Sequence, residues 1–182
     1  MSKENNTVYA ILGLLTTGCV TGYSIKQMID GSLNHFWKIS YGQIYPTLKH
    51  LVDKGYATVK ETVQEGKPAK KEYMITLEGE QALKGWLQNT IEELPIEKNE
   101  LLLKLFFCRH QDHTQTVELL DTYLEKLTER FETYTVIKEH IHSHKIKHAD
   151  ARFWIMTLDY GLYTTKAAMD WCNDTKEKIA NE

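Results

Sequence analysis

Apolar residues recur along most of this chain with the spacing of helices, and over one short stretch with the spacing of strands. Val8, Ile11, Leu12 and Leu15 fall at i, i+3, i+4 and i+7, which predicts a helix over residues 7–17 with a single apolar stripe. A short Gly-containing break follows. "TGYSIKQMIDGSL" then places Ile25, Met28, Ile29 and Leu33 on one face, with Thr21 as a start signal. In "SYGQIYPTLKHL", Ile44, Leu48, Leu51 and Val52 mark a third helix. Ser40 and Gln43 form an S-x-x-Q capping box, so this helix is predicted to start at Tyr41, and Gly55 closes it as the residue just past its end. Pro46 lies within its second turn. A proline there lacks the N–H and crowds the preceding turn, at a cost of roughly 3 kcal/mol.

The period then changes to two. Ala57, Val59, Glu61 and Val63 alternate with Thr58, Lys60, Thr62 and Gln64, and Tyr73, Ile75 and Leu77 alternate with Glu72, Met74 and Thr76. The connection "EGKPAK" carries Gly and Pro turn signals, so a β-hairpin is expected. Leu83, Trp86 and Leu87 mark a fourth helix, with Thr76 as its N-cap. Three helices, a hairpin and another helix predict a winged helix-turn-helix.

Pro95 marks a break, and no strand signal follows it. Residues 96–110, with "LLLKLFF", predict a short apolar helix. Asp112 and Gln115 predict another capped start. Val117, Leu120, Leu124, Leu127, Phe131, Tyr134 and Ile141 then form a coiled-coil-like seam along about thirty residues. The last helix, over about 150–178, has two stripes. One holds Phe153, Met156, Tyr160, Tyr163, Ala167 and Trp171; the other holds Trp154, Leu158, Gly161, Thr165, Ala168 and Cys172. A helix apolar on two faces must bury both. One face is expected to pack within the chain and the other on a second copy. The fold class is therefore mainly α with a small β-hairpin wing. A winged helix-turn-helix domain is expected over residues 1–92, and an α-helical dimerisation domain over residues 93–182.

Composition narrows the class. A 182-residue chain with 42% hydrophobic and 26% charged residues is an ordinary globular protein. No apolar run approaches the ~20 residues of a membrane span, and the N-terminal residues lack a signal-peptide pattern. Cys19, Cys108 and Cys172 make neither a CxxC nor an even framework, which fits a reduced cytoplasmic chain with inert thiols. The net charge of −3 divides unevenly, +1 over residues 1–92 and −4 over residues 93–182, so the total conceals a local basic patch.

The outward face of the third helix gives that patch a chemistry. Turning 100° per residue, Tyr41, Ile44, Leu48, Leu51 and Val52 face the core. Gly42, Gln43, Pro46, Lys49, His50 and Asp53 face away, flanked by Tyr45 and Thr47. Gln43 suits an adenine edge bidentately, Lys49 a phosphate or guanine, and Pro46 a thymine methyl; Ser40 and Tyr45 are phosphate donors. Lys67, Lys70 and Lys71 flank Gly66 and Pro68 at the expected hairpin tip, a cationic wing for the minor groove. Alone, a polar helix face or a lysine-rich turn is an ordinary solvated surface. Their order along the chain points to DNA.

"VYAILGLL", "TGYSI", "GQIYPTLKHLVDKGY" and "YMITLEGEQAL" resemble the PadR family of bacterial transcriptional regulators. "ELLLKLFF" and the C-terminal Trp171 resemble the helical C-terminal domain of its longer, AphA-like members. The resemblance implies a homodimeric repressor whose two winged helices read an inverted-repeat operator. It also implies release by a small phenolic or aromatic drug-like ligand. By position, Gln43, Tyr45, Pro46 and the wing lysines match the family's DNA-facing segments.

Other constellations admit other readings. Trp154, Tyr160, Tyr163 and Trp171 are candidate walls of an aromatic ligand pocket, or simply core and dimer seam. His140, His144 and His148 fall at i, i+4 and i+8, so a metal- or pH-gated regulator on the same scaffold is an alternative, as is a dimeric protein-binding adaptor. No carboxylate or thiolate completes a ligand set, and no metal or cofactor is assigned. The chain has no Gly-rich phosphate loop, HExxH or GxSxG, and Glu92, Glu93, Glu97 and Glu100 read as a solvated linker and helix start. An enzyme is not expected.

Overall fold

A computed structural model describes residues 6–64, 67–94, 96–143 and 148–181, with the side chains of 63, 64, 67 and 68 outside that description. The chain divides into two compact units, Met1–Leu94 and Pro95–Glu182.

In the first unit the predicted stripes become one core. Helices α1 (Asn6–Thr16), α2 (Gly22–Gly31) and α3 (Tyr41–Asp53) turn Ile11, Leu12, Ile25, Ile29, Ile44, Leu48 and Leu51 inward, all nearly inaccessible to solvent. Capping sets their limits. Thr21 caps α2 by accepting from the Ser24 N–H at 3.0 Å, and Gly55 follows α3 with φ +76°. Strands β1 (Ala57–Gln64) and β2 (Lys67–Ile75) pair antiparallel, with Ala57 opposite Ile75 and Lys60 opposite Glu72. Ala57 and Tyr73 close the core, and the Tyr73 N–H donates to the Val20 carbonyl at 2.7 Å, tying the hairpin to the segment before α2.

Helix α4 (Leu77–Gln88) starts where the Thr76 hydroxyl accepts from the Gly79 N–H at 3.1 Å. Gly79 is sterically required, because a Cβ there would lie 2.1 Å from the Tyr56 carbonyl oxygen. Trp86 stacks on Tyr9 at 5.1 Å between ring centroids, so α4 returns to α1. Tyr41 departs from its expected core position. At the first turn of α3 it is 51% exposed, its hydroxyl donating to Asp30 at 2.6 Å and its ring lying beneath Lys26.

In the second unit, α5 (Glu100–Leu105) is shorter than the helix expected over 96–110. Asn99 accepts from the Leu101 and Leu102 N–H groups and so starts the helix there, and a 3₁₀ turn (Cys108–His110) follows it. Helices α6 (His113–Ser143) and α7 (Ala151–Ala180) run antiparallel, pinned by ion pairs Lys138–Asp159 and Lys176–Asp121. Asp112 caps α6 through the Gln115 N–H at 2.8 Å. Leu120, Leu127 and Tyr134 of the seam are buried, and Cys172 of α7 is fully so; burial pushes its thiol up, partly offset by Lys176. Gly161 admits the Tyr134 ring so closely that a Cβ would meet Cε2 at 2.6 Å. Of the two α7 stripes, the Gly161–Thr165–Cys172 face therefore packs on α6. Phe153, Met156, Tyr160 and Tyr163 stay 49–77% exposed. Among the described residues, no helix is long and apolar enough to cross a membrane.

Candidate nucleic-acid interface

Helix α3 places its candidate residues as the pattern of apolar positions requires. With Ile44, Leu48 and Leu51 buried, Gly42, Tyr45, Pro46, Lys49 and His50 are exposed and Gln43 is half-buried. Pro46 does not interrupt the helix. Lacking an N–H, it leaves the carbonyl four residues back, that of Gly42, without its usual intrahelical donor. Gly42 itself meets no crowding, since a Cβ there would have no neighbour within 4 Å. Among the described residues, no neighbour calls for a glycine at this exposed position.

The capping box forms, and it constrains Gln43. The Gln43 Oε1 accepts from the Ser40 N–H and from the Ser40 hydroxyl, both at 3.0 Å. Tyr45, 61% exposed, lies against the start of α2, where a Cβ on Gly22 would sit 2.6 Å from its Cε1. Asp30 accepts from the Tyr41 hydroxyl and from Asn34, and the Lys26 ammonium stands 4.3 Å from the Tyr41 ring centroid. The bond to Asp30 raises the Tyr41 phenol above its ordinary value, with smaller contributions from desolvation and the carboxylate charge. Sequence reasoning missed this α2–α3 link, because periodicity assigns Tyr41 to the core and says nothing of Lys26 or Asp30.

The wing differs from its expectation. Lys70 and Lys71 are not at a hairpin tip. The strand begins at Lys67, and the ladder sets Lys70 opposite Thr62 and Lys71 opposite Glu61, with an irregularity between Thr62 and Gln64. Lys70 pairs with Glu72 at 2.7 Å and Lys71 with Glu61 at 3.8 Å. The hydrogen bond and charge of Lys70, helped by Lys60, hold the Glu72 carboxyl below its ordinary range. The Lys67 side chain lies outside the described residues.

The four candidate ligand residues do not converge. Trp154 and Trp171 are separated by seventeen positions of one helix, about 25 Å at 1.5 Å per residue. Trp154 stacks on His148 at 4.8 Å, Trp171 packs near Leu120 and Cys172, and Tyr160 and Tyr163 face outward. A cleft of about 720 Å³ opens elsewhere in this unit, between α5, the 3₁₀ turn and the start of α6, lined by Leu103, Phe107, Cys108, His110, Leu119 and Thr122 among others. Only the apolar excess of "LLLKLFF" hinted at it. The histidine face is also corrected. Helix α6 is described as far as Ser143, His148 itself is not helical, and the His148 Nδ1 accepts from the Asp150 N–H at 3.2 Å. His144 lies outside the described residues. Among the described residues, no three His, Cys, Asp or Glu side chains converge on a metal-sized site.

A helix-turn-helix with an exposed third-helix face, a two-stranded wing and a separate antiparallel helical pair defines a winged-helix regulator. Family models agree: residues 11–85 match the transcriptional regulator PadR-like family and residues 97–180 the virulence activator alpha C-terminal family. The chain belongs to the PadR-like family of transcriptional regulators. It is 39% identical over 121 residues to the negative transcriptional regulator PadR of Bacillus subtilis, a stretch covering 65% of each chain. Against the crystal structure of Bacillus subtilis PadR in complex with operator DNA, it superposes with a TM-score of 0.85 at 30% identity, covering 96% of this chain and 99% of that one. Against the same regulator in complex with p-coumaric acid the values are 0.81 and 27%, covering 97% and 99%. These relatives are transcriptional regulators and not enzymes.

Proposed function

We propose that this protein is a homodimeric, cytoplasmic repressor that places α3 in the major groove of an inverted-repeat operator and is released by a small aromatic ligand. One observation carries the DNA reading. The outward face of α3 combines Gln43, Pro46, Lys49 and His50 with an exposed Gly42 that no internal contact requires. A glycine with open space before it leaves room for a backbone to approach from outside. Tyr45 sits at its edge as a phosphate donor, whereas the single Ser40 hydroxyl hydrogen goes to Gln43, so Ser40 positions that side chain instead; Lys67, Lys70 and Lys71 supply the wing. The operator complex of the Bacillus subtilis relative supports the same use of the fold.

The dimer reading rests on α7. Phe153, Met156, Tyr160 and Tyr163 form an exposed apolar stripe, and such stripes mark interfaces. Ligand and DNA would be linked: a ligand favouring a dimer geometry that misplaces the two α3 helices weakens DNA binding by the factor by which DNA weakens ligand binding. The p-coumaric acid complex of the relative supports an aromatic ligand, and Tyr160 and Tyr163 of the exposed stripe are its candidate walls at a dimer seam, Trp154 and Trp171 being engaged elsewhere. Sedimentation of the full chain, with gel shift on the promoter region of its own gene, tests the whole reading. We expect a dimer that shifts this DNA specifically. Met156→Glu with Tyr160→Glu should give a helical monomer whose affinity falls at least tenfold. A doubly substituted dimer, or a wild type without specific binding, refutes it.

A further inference from the structure

Gln43 carries an inference about which bases are read, and it rests on the proposal that α3 occupies a major groove. The Ser40 N–H is a main-chain donor, so only an acceptor can face it; the oxygen of Gln43, not its nitrogen, lies 3.0 Å away. The Ser40 hydroxyl donates to that same oxygen, also at 3.0 Å. A carbonyl oxygen has two lone pairs, and both are engaged. What Gln43 retains for a ligand is its amino group, a pure donor.

This alters the expected readout. Bidentate recognition of adenine needs a side-chain oxygen for N6–H and a side-chain N–H for N7. With the oxygen held by Ser40, the adenine N6 amino group would meet a donor with a donor. Guanine instead presents two acceptors, N7 and O6, and thymine presents O4. We infer that Gln43 reads an acceptor edge, guanine ahead of thymine, and that Ser40 is the positioning residue that sets this preference.

The full-length chain is incubated with a randomised DNA duplex library, and the bound pool is sequenced for wild type, Gln43→Ala, Gln43→Glu and Ser40→Ala. In wild type, one position per half-site should hold guanine or thymine, and that preference should vanish in Gln43→Ala. Glutamate preserves the S-x-x-E capping box and so the fold, but presents an acceptor in place of the amino group. Gln43→Glu should therefore move the same position to cytosine or adenine, whose amino groups donate. Ser40→Ala frees one lone pair and should admit adenine alongside guanine. Where guanine is selected, 7-deazaguanine at that position should lower wild-type affinity roughly five- to tenfold, consistent with the share of a good bidentate contact that one hydrogen bond carries. Adenine or cytosine at the Gln43-dependent position in wild type overturns the inference while leaving operator binding intact. So does a Gln43→Ala pool identical to wild type. A wild-type pool without any enriched sequence instead removes the operator reading itself, and this inference falls with it.

Discussion

The Tyr45 ring rests on Gly22: a Cβ added to Gly22 would lie 2.6 Å from Cε1 and 2.7 Å from Cζ. This one contact joins the "TGYSI" and "GQIYPTL" segments, and it sets where an exposed tyrosine of α3 points. It also gives Gly22 a steric reason, because the start of α2 must be bare for the ring to lie there.

The contact predicts an uncommon pattern of mutational coupling. The atoms that a Gly22→Ala methyl would strike belong to the far end of a half-free side chain, so the ring can swing aside. Stability should fall by less than about 1 kcal/mol in a thermal melt. DNA affinity should nevertheless fall about as far as in Tyr45→Ala, since both lose the placed phenol. The double variant should bind no worse than Tyr45→Ala alone, a non-additivity expected of contacting residues. Additive losses would show that Gly22 acts by some other route. Gly79→Ala is the contrast. It meets the Tyr56 backbone carbonyl at 2.1 Å, which cannot swing away, so its cost should appear as unfolding.

Pro46 separates stability from recognition. It is exposed, inside α3, and without the N–H that the helix would use. Pro46→Ala should raise stability by on the order of 1–3 kcal/mol, while anisotropy with labelled operator shows weaker or altered binding. Gly42→Ala should behave alike, gaining up to about 1 kcal/mol of helix propensity because its methyl meets open space. If both properties stay unchanged in Pro46→Ala, the proline has no role in binding.

These residues also mark where sequence reading succeeds. Periodicity identified Ile44, Leu48 and Leu51 as core, because burial of a helical stripe is a local consequence of 3.6-residue geometry. Thr21, Ser40, Thr76 and Asp112 were legible as caps because a cap bonds within three residues. Most failures are relationships across space; the start of α5 at Asn99 is a local cap that the apolar run concealed. Tyr41 left the core because Asp30, eleven positions away, offers its hydroxyl a partner. Lys70 and Lys71 were read at a turn, but strand register depends on the turn and an irregularity at Thr62–Gln64, neither of which hydrophobic alternation determines. The histidine spacing presumed one helix running through His148, which is not helical.

The ion pairs of the wing yield the last prediction. The Glu72 carboxylate already partly neutralises the Lys70 ammonium, so it competes with any phosphate that Lys70 would contact. Glu72→Gln should raise DNA affinity roughly two- to fivefold at low salt, the range of an exposed pair, and the gain should shrink as salt screens it. Glu78→Gln, an equal charge change on α4, should give less, which separates the pair from net charge. Acid supplies the second test. Lys70 depresses the Glu72 carboxyl, so the pair's contribution to the hairpin is present above the ordinary carboxylate value of 4.5 and is lost as pH falls through the depressed one. Wild-type melting should therefore be insensitive to this pair between pH 6 and 8 and weaken only in acid, with Glu72→Gln showing a shallower acid decline. An identical acid decline in both proteins would mean that the pair is too exposed to matter, and the affinity gain should then be absent as well.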